Sequence, residues 1–167
     1  TFITTTGDAP GTNRLEIVLM QLVQLVRDGQ PVRMSKRTGN AIALHDLLDE
    51  VSVDAARFFF NSRHSASPIE FDLGLAVRND SENPVFYVQY AHARICSLIA
   101  NLAAEGETVK AAGDIDAAVF ADPAERALIK ALSLLPDEIH LAAKAYDPSR
   151  INRYLVSLAG DFHRFYN

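Results

Sequence analysis

The 167-residue sequence is short of several things, and each shortage excludes a class of protein. It holds one cysteine, Cys96, so no disulfide forms within the chain, and a reducing location, the cytoplasm, is expected. No apolar run is long enough to span a bilayer and no secretory signal pattern is present, so a membrane partner is not expected. Positive charge is not in surplus: 16 Lys and Arg against 21 Asp and Glu leave a formal net charge of −5. Dedicated, non-specific nucleic-acid binders are usually basic, so any nucleic-acid contact here belongs to a local patch. The Gly-x-Ser-x-Gly elbow, the Walker phosphate loop and Gly-x-Gly-x-x-Gly are all missing. Metal ligands are too few. His92 and Cys96 stand four apart on one helix face, but two ligands do not make a zinc site, and His45, His64, His140 and His163 add no second pair. A packed or hydrogen-bonded histidine beside a buried, unreactive thiol is the expectation, with no bound metal.

What is present is an ordinary globular composition, 49% hydrophobic and 22% charged. The length suffices for one full core or for pieces of two small domains. Charges are unevenly spread. Arg27, Arg33, Lys36 and Arg37 cluster with only Asp28 opposing them. Glu105, Glu107, Asp114, Asp116, Asp122 and Glu125 form an acidic stretch that a nucleic acid would avoid. The chain opens at Thr1 without an initiator methionine and stops directly after a helical pattern, and it reads as a piece of something larger.

Residues 1–13 are rich in Thr, Gly, Pro and Asn and are expected to be irregular. Leu15–Val26 reads as one long buried strand or two short ones, with a helix as the competing reading. Asp28-Gly29 is a hairpin turn signal, which makes Pro31–Met34 the returning strand. Leu44, Leu47 and Leu48 mark a short helix, and Ser52 caps a second running through Val53, Ala56, Phe59 and Phe60. Residues 61–82 look like a connector with at most a helical turn near Leu73–Val77.

Three longer helices follow, each announced by an acceptor at the N-cap and proline after it: Asn83-Pro84, Asp122-Pro123 and Asp147-Pro148. The first runs from Pro84 to about Ala104, with Val85, Val88, His92, Ile95, Ile99 and Leu102 on one stripe. The second runs from Pro123 to about Ala145, the third from Pro148 to the end. Their stripes predict a helical bundle, and so a mostly α fold preceded by a short β-hairpin. His92 lies on the first stripe and is expected to be structural.

Residues 33–40, Arg-Met-Ser-Lys-Arg-Thr-Gly-Asn, are the most informative run. Three cations, two hydroxyls and a turn-permitting Gly39 suit a loop that wraps a polyphosphate. On its own, such a run is more often a solvated surface loop. It resembles the mobile ATP loop of class I aminoacyl-tRNA synthetases. Val53-Asp54-Ala55-Ala56-Arg57-Phe58 is similar to a helix those enzymes carry one element later. Asn83–Arg94 looks like the opening helix of the anticodon-binding domain of arginyl-tRNA synthetases, and Phe162–Asn167 like a later helix of that domain. The three motifs stand in the family's order, and the likeness covers roughly residues 15–167. Arg33 stands where the family's loop usually has lysine, and Arg37 where many members have serine. The histidine-rich helix start of the class I active site is absent.

The resemblance implies a fragment of an arginine–tRNA ligase. Residues 1–40 would be the end of a Rossmann-like catalytic domain with its ATP loop, 41–82 a helical connector and 83–167 an incomplete anticodon-binding bundle. ATP, with Mg2+ accompanying it, arginine and tRNA(Arg) would be the parent's substrates and partners. Lys36 would be the catalytic residue, stabilising charge on the ATP phosphates, with Arg33, Met34, Ser35 and Arg37 completing the loop. Tyr87, Gln89, Tyr90, Arg94 and Tyr166 would contact tRNA, because aromatic rings stack on unpaired bases and Gln or Arg reads base edges or phosphates. The fragment alone is expected to be inactive. The rival readings are another class I synthetase tail, such as the cysteinyl one, and a stand-alone helical module that binds RNA or protein.

Overall fold

Asp28 and Gly29 both take left-handed backbone angles, φ of 50° and 76°, which is the twist a two-residue hairpin turn demands. The turn joins β3 (Val23–Arg27) to β4 (Gln30–Pro31), antiparallel with Arg27 opposite Gln30. The computed structural model of the chain describes residues 2–4, 16–32, 43–108 and 110–167. The expected loop residues Arg33, Met34, Ser35, Lys36 and Arg37 lie outside them. The chain divides into two compact units: Thr1–Val77 with Asp147–Ser149, and Arg78–Tyr146 with Arg150–Asn167.

In the first unit the chain departs from expectation three times. Phe2–Thr4 is a strand, β1, paired antiparallel with β2 (Glu16–Val18), where irregular chain was expected. Threonine is itself strand-favouring, and the Gly and Pro that argued for a loop lie beyond Thr4. The apolar stretch before the turn forms two short strands, β2 and β3, yet among its described residues only Leu25 and Val26 are buried while Leu19, Met20 and Leu22 are exposed. Residues 69–72 were read as connector and form β5 (Ile69–Asp72), parallel to β3 in a three-stranded sheet of order β4-β3-β5.

Among the described residues, two helices follow β4 and precede β5. The first, α1 (Leu44–Glu50), buries Leu47. The second, α2 (Val53–Phe60), starts as expected at Ser52, whose Oγ accepts from the Ala55 N–H at 3.2 Å. Phe71 of β5 is fully buried, with the rings of Phe59 and Phe60 5.3 and 5.1 Å away. A short α3 (Leu73–Ala76) follows, capped by Asp72, which accepts from Gly74 and Leu75 N–H. Arg27, one of the clustered cations, pairs with Glu50 at 2.6 Å.

The second unit is helical. Its first helix, α4 (Pro84–Ala104), is capped by Asn83, whose Oδ1 accepts from Val85 N–H at 3.0 Å and whose Nδ2 donates to the Arg78 carbonyl at 2.8 Å. The expected second helix is broken in two, α5 (Pro123–Ser133) and α6 (Leu135–Ala145). Pro136 lacks an N–H and its ring crowds the preceding turn, which interrupts the ladder although the apolar stripe continues. The last helix, α7 (Ser149–Tyr166), begins one residue later than read; Asp147 accepts from the Ser149 N–H and hydroxyl. Ala91, Ala159 and Phe162 form the buried centre of this unit, with Tyr87, Val88, Ile95 and Leu128 packed on it. The Tyr154 hydroxyl donates to the Ala131 carbonyl, and burial pushes its pKa up.

The stripes are only half covered. Ile99, Leu132, Ile139 and Phe165 remain substantially exposed, and a groove of about 500 Å³ runs between Val88, Ile95, Leu132, Leu158 and Phe165. A helix pair seals only the strip along its contact line, so residues at the flanks of a broad stripe stay open. His92 edges this groove and is exposed, and Cys96 is exposed rather than buried. The reason is angular: Cys96 follows core-facing Ile95 by one position, a rotation of about 100°.

Candidate nucleic-acid interface

The spacing of α4 sets three side chains in one row. Phe86, Tyr90 and Arg94 recur every four residues, so they rise along one face. The Phe86 and Tyr90 rings stack with centroids 6.1 Å apart and planes 6° from parallel. Arg94 extends from the end of this row, its guanidinium carbon 5.7 Å from the Tyr90 centroid and 4.3 Å from that of Tyr166 on α7. Cation–aromatic contacts at these distances are attractive and hold a long side chain in one orientation.

His163 of α7 and Asn167, just past its end, fix the other edge of the guanidinium. Its Nη1 lies 3.3 Å from His163 Nδ1, and its Nη2 donates to Asn167 Oδ1 at 3.2 Å. His163 is itself wedged among rings, 5.0 Å from Tyr87, 5.8 Å from Tyr90 and 5.6 Å from Phe162. Burial, and secondarily the Arg94 charge, lower its pKa from the ordinary histidine value. The resulting cleft, about 420 Å³, is lined by Ser81, Phe86, Tyr87, Tyr90, Arg94, His163 and Asn167.

Four of the five residues expected to contact RNA gather here. Tyr87, Tyr90 and Arg94 line the cleft, and Tyr166 stacks on Arg94 and on Phe162 (5.6 Å). Gln89 does not line it and is exposed elsewhere on α4. Phe86, His163 and Asn167 were overlooked as members. Phe86 was legible, standing four residues before Tyr90; His163 and Asn167 were not, because the approach of the α7 end to α4 is a tertiary fact. Phe165, the neighbour of Tyr166 in sequence, is 40% exposed.

Charge near the cleft is partly cancelled. Arg78 engages Asp80 at 2.9 Å and Glu82 at 2.6 Å, just ahead of the α4 cap. The Glu82 backbone N–H, then Arg78, hold the Asp80 carboxyl below the usual range, and the hydrogen bond to Asp80 raises Arg78. Among the described residues, Arg94 is the guanidinium that lines the cleft. Among the described residues no cluster of three or more His, Cys, Asp or Glu side chains suits a metal ion, and no helix is long and apolar enough to cross a membrane.

Known proteins share this arrangement of elements. Residues 88–167 match the DALR anticodon binding domain. An arginine–tRNA ligase of Caldanaerobacter subterraneus subsp. tengcongensis is 56% identical over 155 residues, 93% of this chain and 28% of that protein. A crystal structure described as a candidate arginyl-tRNA synthetase from Campylobacter jejuni superposes with a TM-score of 0.76 at 35% identity, covering 92% of this chain and 33% of that one. The Thermus thermophilus arginyl-tRNA synthetase, at 23% identity and a TM-score of 0.65 over 86% of this chain and 26% of its own, shows the same fold. The chain thus spans a third or less of the length of these relatives. It belongs to the arginyl-tRNA synthetase family and carries, over residues 88–167, that family's DALR anticodon binding domain.

Proposed function

We propose that this chain serves an arginine–tRNA ligase that activates arginine with ATP and passes the arginyl group to tRNA(Arg), and that the cleft of α4 and α7 holds the tRNA. The observation that carries the second part is Arg94 clamped between the Tyr90 and Tyr166 rings within the segment that matches the anticodon binding domain. An unpaired base stacks on the exposed Tyr90 face, and each such stack contributes about 1–3 kcal/mol. The guanidinium fork beside it offers donors to a phosphate or a base edge. Tyr87 and Tyr166 shape the two sides, while Gln89, off the cleft, reaches a neighbouring part of the same RNA.

The first part rests on the run Arg33-Met34-Ser35-Lys36-Arg37. Lys36 stabilises charge on the ATP phosphates, with Mg2+ bound to the nucleotide and the flanking residues orienting the loop. In this reading residues 1–40 close the catalytic domain, 41–82 connect, 83–167 bind the tRNA, and the protein works in the cytoplasm. Two measurements test it. Transcribed tRNA(Arg) should bind more tightly than transcribed tRNA(Cys) at one fixed salt concentration, and Arg94→Ala should erase that preference. Lys36→Ala in the full-length enzyme should slow pyrophosphate exchange into ATP by about 10²–10³-fold. Equal binding of both tRNAs, or an unchanged exchange rate, defeats the corresponding part.

A further inference from the structure

We infer that His163 is a positioning residue for RNA binding: its neutral imidazole accepts a hydrogen bond from Arg94 and sets the guanidinium between the two tyrosine rings, so that protonating it weakens RNA binding. The inference rests on the reading of the cleft as an RNA site and adds a protonation requirement to it.

The donor inventory decides the tautomer. Arginine has N–H donors and no acceptor. At 3.3 Å from Arg94 Nη1, His163 Nδ1 must therefore present its lone pair. The ring is neutral and its proton sits on Nε2. That nitrogen is buried and has no hydrogen-bond partner among the described residues. The ring accordingly gains nothing from its own N–H, and its polar contribution in place is to hold Arg94.

Protonation removes that lone pair and sets a second cation against the first. The titratable and charged groups facing the ring are Arg94, Tyr87 and Tyr90 of α4. On its own helix Asp161 is paired with Arg164, and Phe162 covers the ring's flank. No carboxylate among these faces the imidazolium, so the strain is relieved by Arg94 leaving its seat. Asn167 alone then anchors a guanidinium that no longer lies over Tyr166. Low local dielectric strengthens the repulsion. The sign is unusual. Acidification normally strengthens binding to RNA, because each new cation adds to the attraction of the phosphates. Here the new cation dislodges the one that does the binding.

The test measures affinity of the intact protein for transcribed tRNA(Arg) at constant ionic strength between about pH 8 and about pH 5. Wild-type affinity should fall roughly tenfold on acidification, the loss expected for one charge-assisted hydrogen bond. His163→Asn places an amide oxygen near the position of Nδ1 and cannot titrate. It should keep the high-pH affinity and flatten the profile. His163→Phe keeps a ring without an acceptor and should bind weakly at every pH, with unchanged helical circular dichroism. Wild-type affinity that is flat or rises on acidification overturns the inference, as does His163→Phe binding like wild type. Arg94→Ala separates the two levels. If it binds as wild type does, the RNA reading of the cleft fails; if it binds weakly while His163→Phe is normal, only the positioning role fails.

Discussion

The guanidinium carbon of Arg94 lies 4.3 Å from the centre of the Tyr166 ring, so a cation of α4 is seated on an aromatic face of α7. Neither residue needs the other to be helical. The contact exists because α4 and α7 share the core of Ala91, Ala159 and Phe162, which brings the two polar faces together at its edge. A surface arginine without such a seat loses its rotamer freedom on binding, at a cost of about 0.5–1.5 kcal/mol. One already clamped has met part of that cost in folding.

Tyr90 separates stacking from seating. It is 49% exposed, although Phe86, His163 and Arg94 each lie against part of its ring. Tyr90→Ala is expected to weaken tRNA(Arg) binding by about 1–3 kcal/mol, and Tyr90→Phe by much less, because the stacking surface survives without the hydroxyl. Titrations of both variants at one salt concentration check this. Equal losses would assign the work to the hydroxyl instead.

The cap of α4 should matter to stability more than any exposed charge near it. Asn83 is 4% exposed and serves two backbone groups at once, accepting from Val85 N–H and donating to the Arg78 carbonyl. Asn83→Ala removes both bonds inside a buried site and should destabilise by about 2 kcal/mol or more. Asn83→Asp keeps the acceptor and turns an oxygen toward the Arg78 carbonyl, so an intermediate loss is expected. Urea unfolding midpoints of the three proteins give the order.

Much of this architecture was legible because its signals are local. Asn83-Pro84 and Asp122-Pro123 announce helices through groups two or three residues apart, and the structure starts α4 and α5 there. Asp28-Gly29 announces a hairpin for the same reason. The parallel strand β5 was not legible, since its partner residues in β3 lie 46 positions earlier and a four-residue run carries little pattern. Pro136 ends the α5 ladder although the apolar stripe through Leu132 and Ile139 continues past it. The cleft divides likewise. Tyr90 and Arg94 follow from a four-residue spacing, whereas His163 and Asn167 enter only once α7 is laid against α4.

Stability should depend on the protonation of His163. Its folded pKa lies below the unfolded value of about 6.5, chiefly through burial and then through Arg94. Between those two values the unfolded chain binds more protons, so stability rises with pH in that window. The contribution is complete above about pH 6.5 and is lost as pH falls toward the folded value. His163→Asn should remove that part of the slope. Melting temperatures of both proteins across the window measure it, and parallel curves would contradict the assignment.

Gly160 offers a test of how tightly α7 approaches α4. It sits in the interior of α7, where glycine costs about 0.8–1.0 kcal/mol relative to alanine. A Cβ built there meets the Tyr87 hydroxyl at 3.5 Å, an ordinary contact, and the residue has no positive φ to lose. Gly160→Ala is therefore expected to stabilise the chain by about 0.5–1 kcal/mol, through a less flexible unfolded state as much as a better helix. Because Tyr87 lines the cleft, the added methyl also reports on the interface. A stabilised variant with undiminished tRNA affinity means the Tyr87 ring keeps its place beside His163. A stabilised variant that binds poorly means the methyl has pushed the ring across the cleft. Destabilisation would show that α7 and α4 lie closer together than the 3.5 Å contact allows.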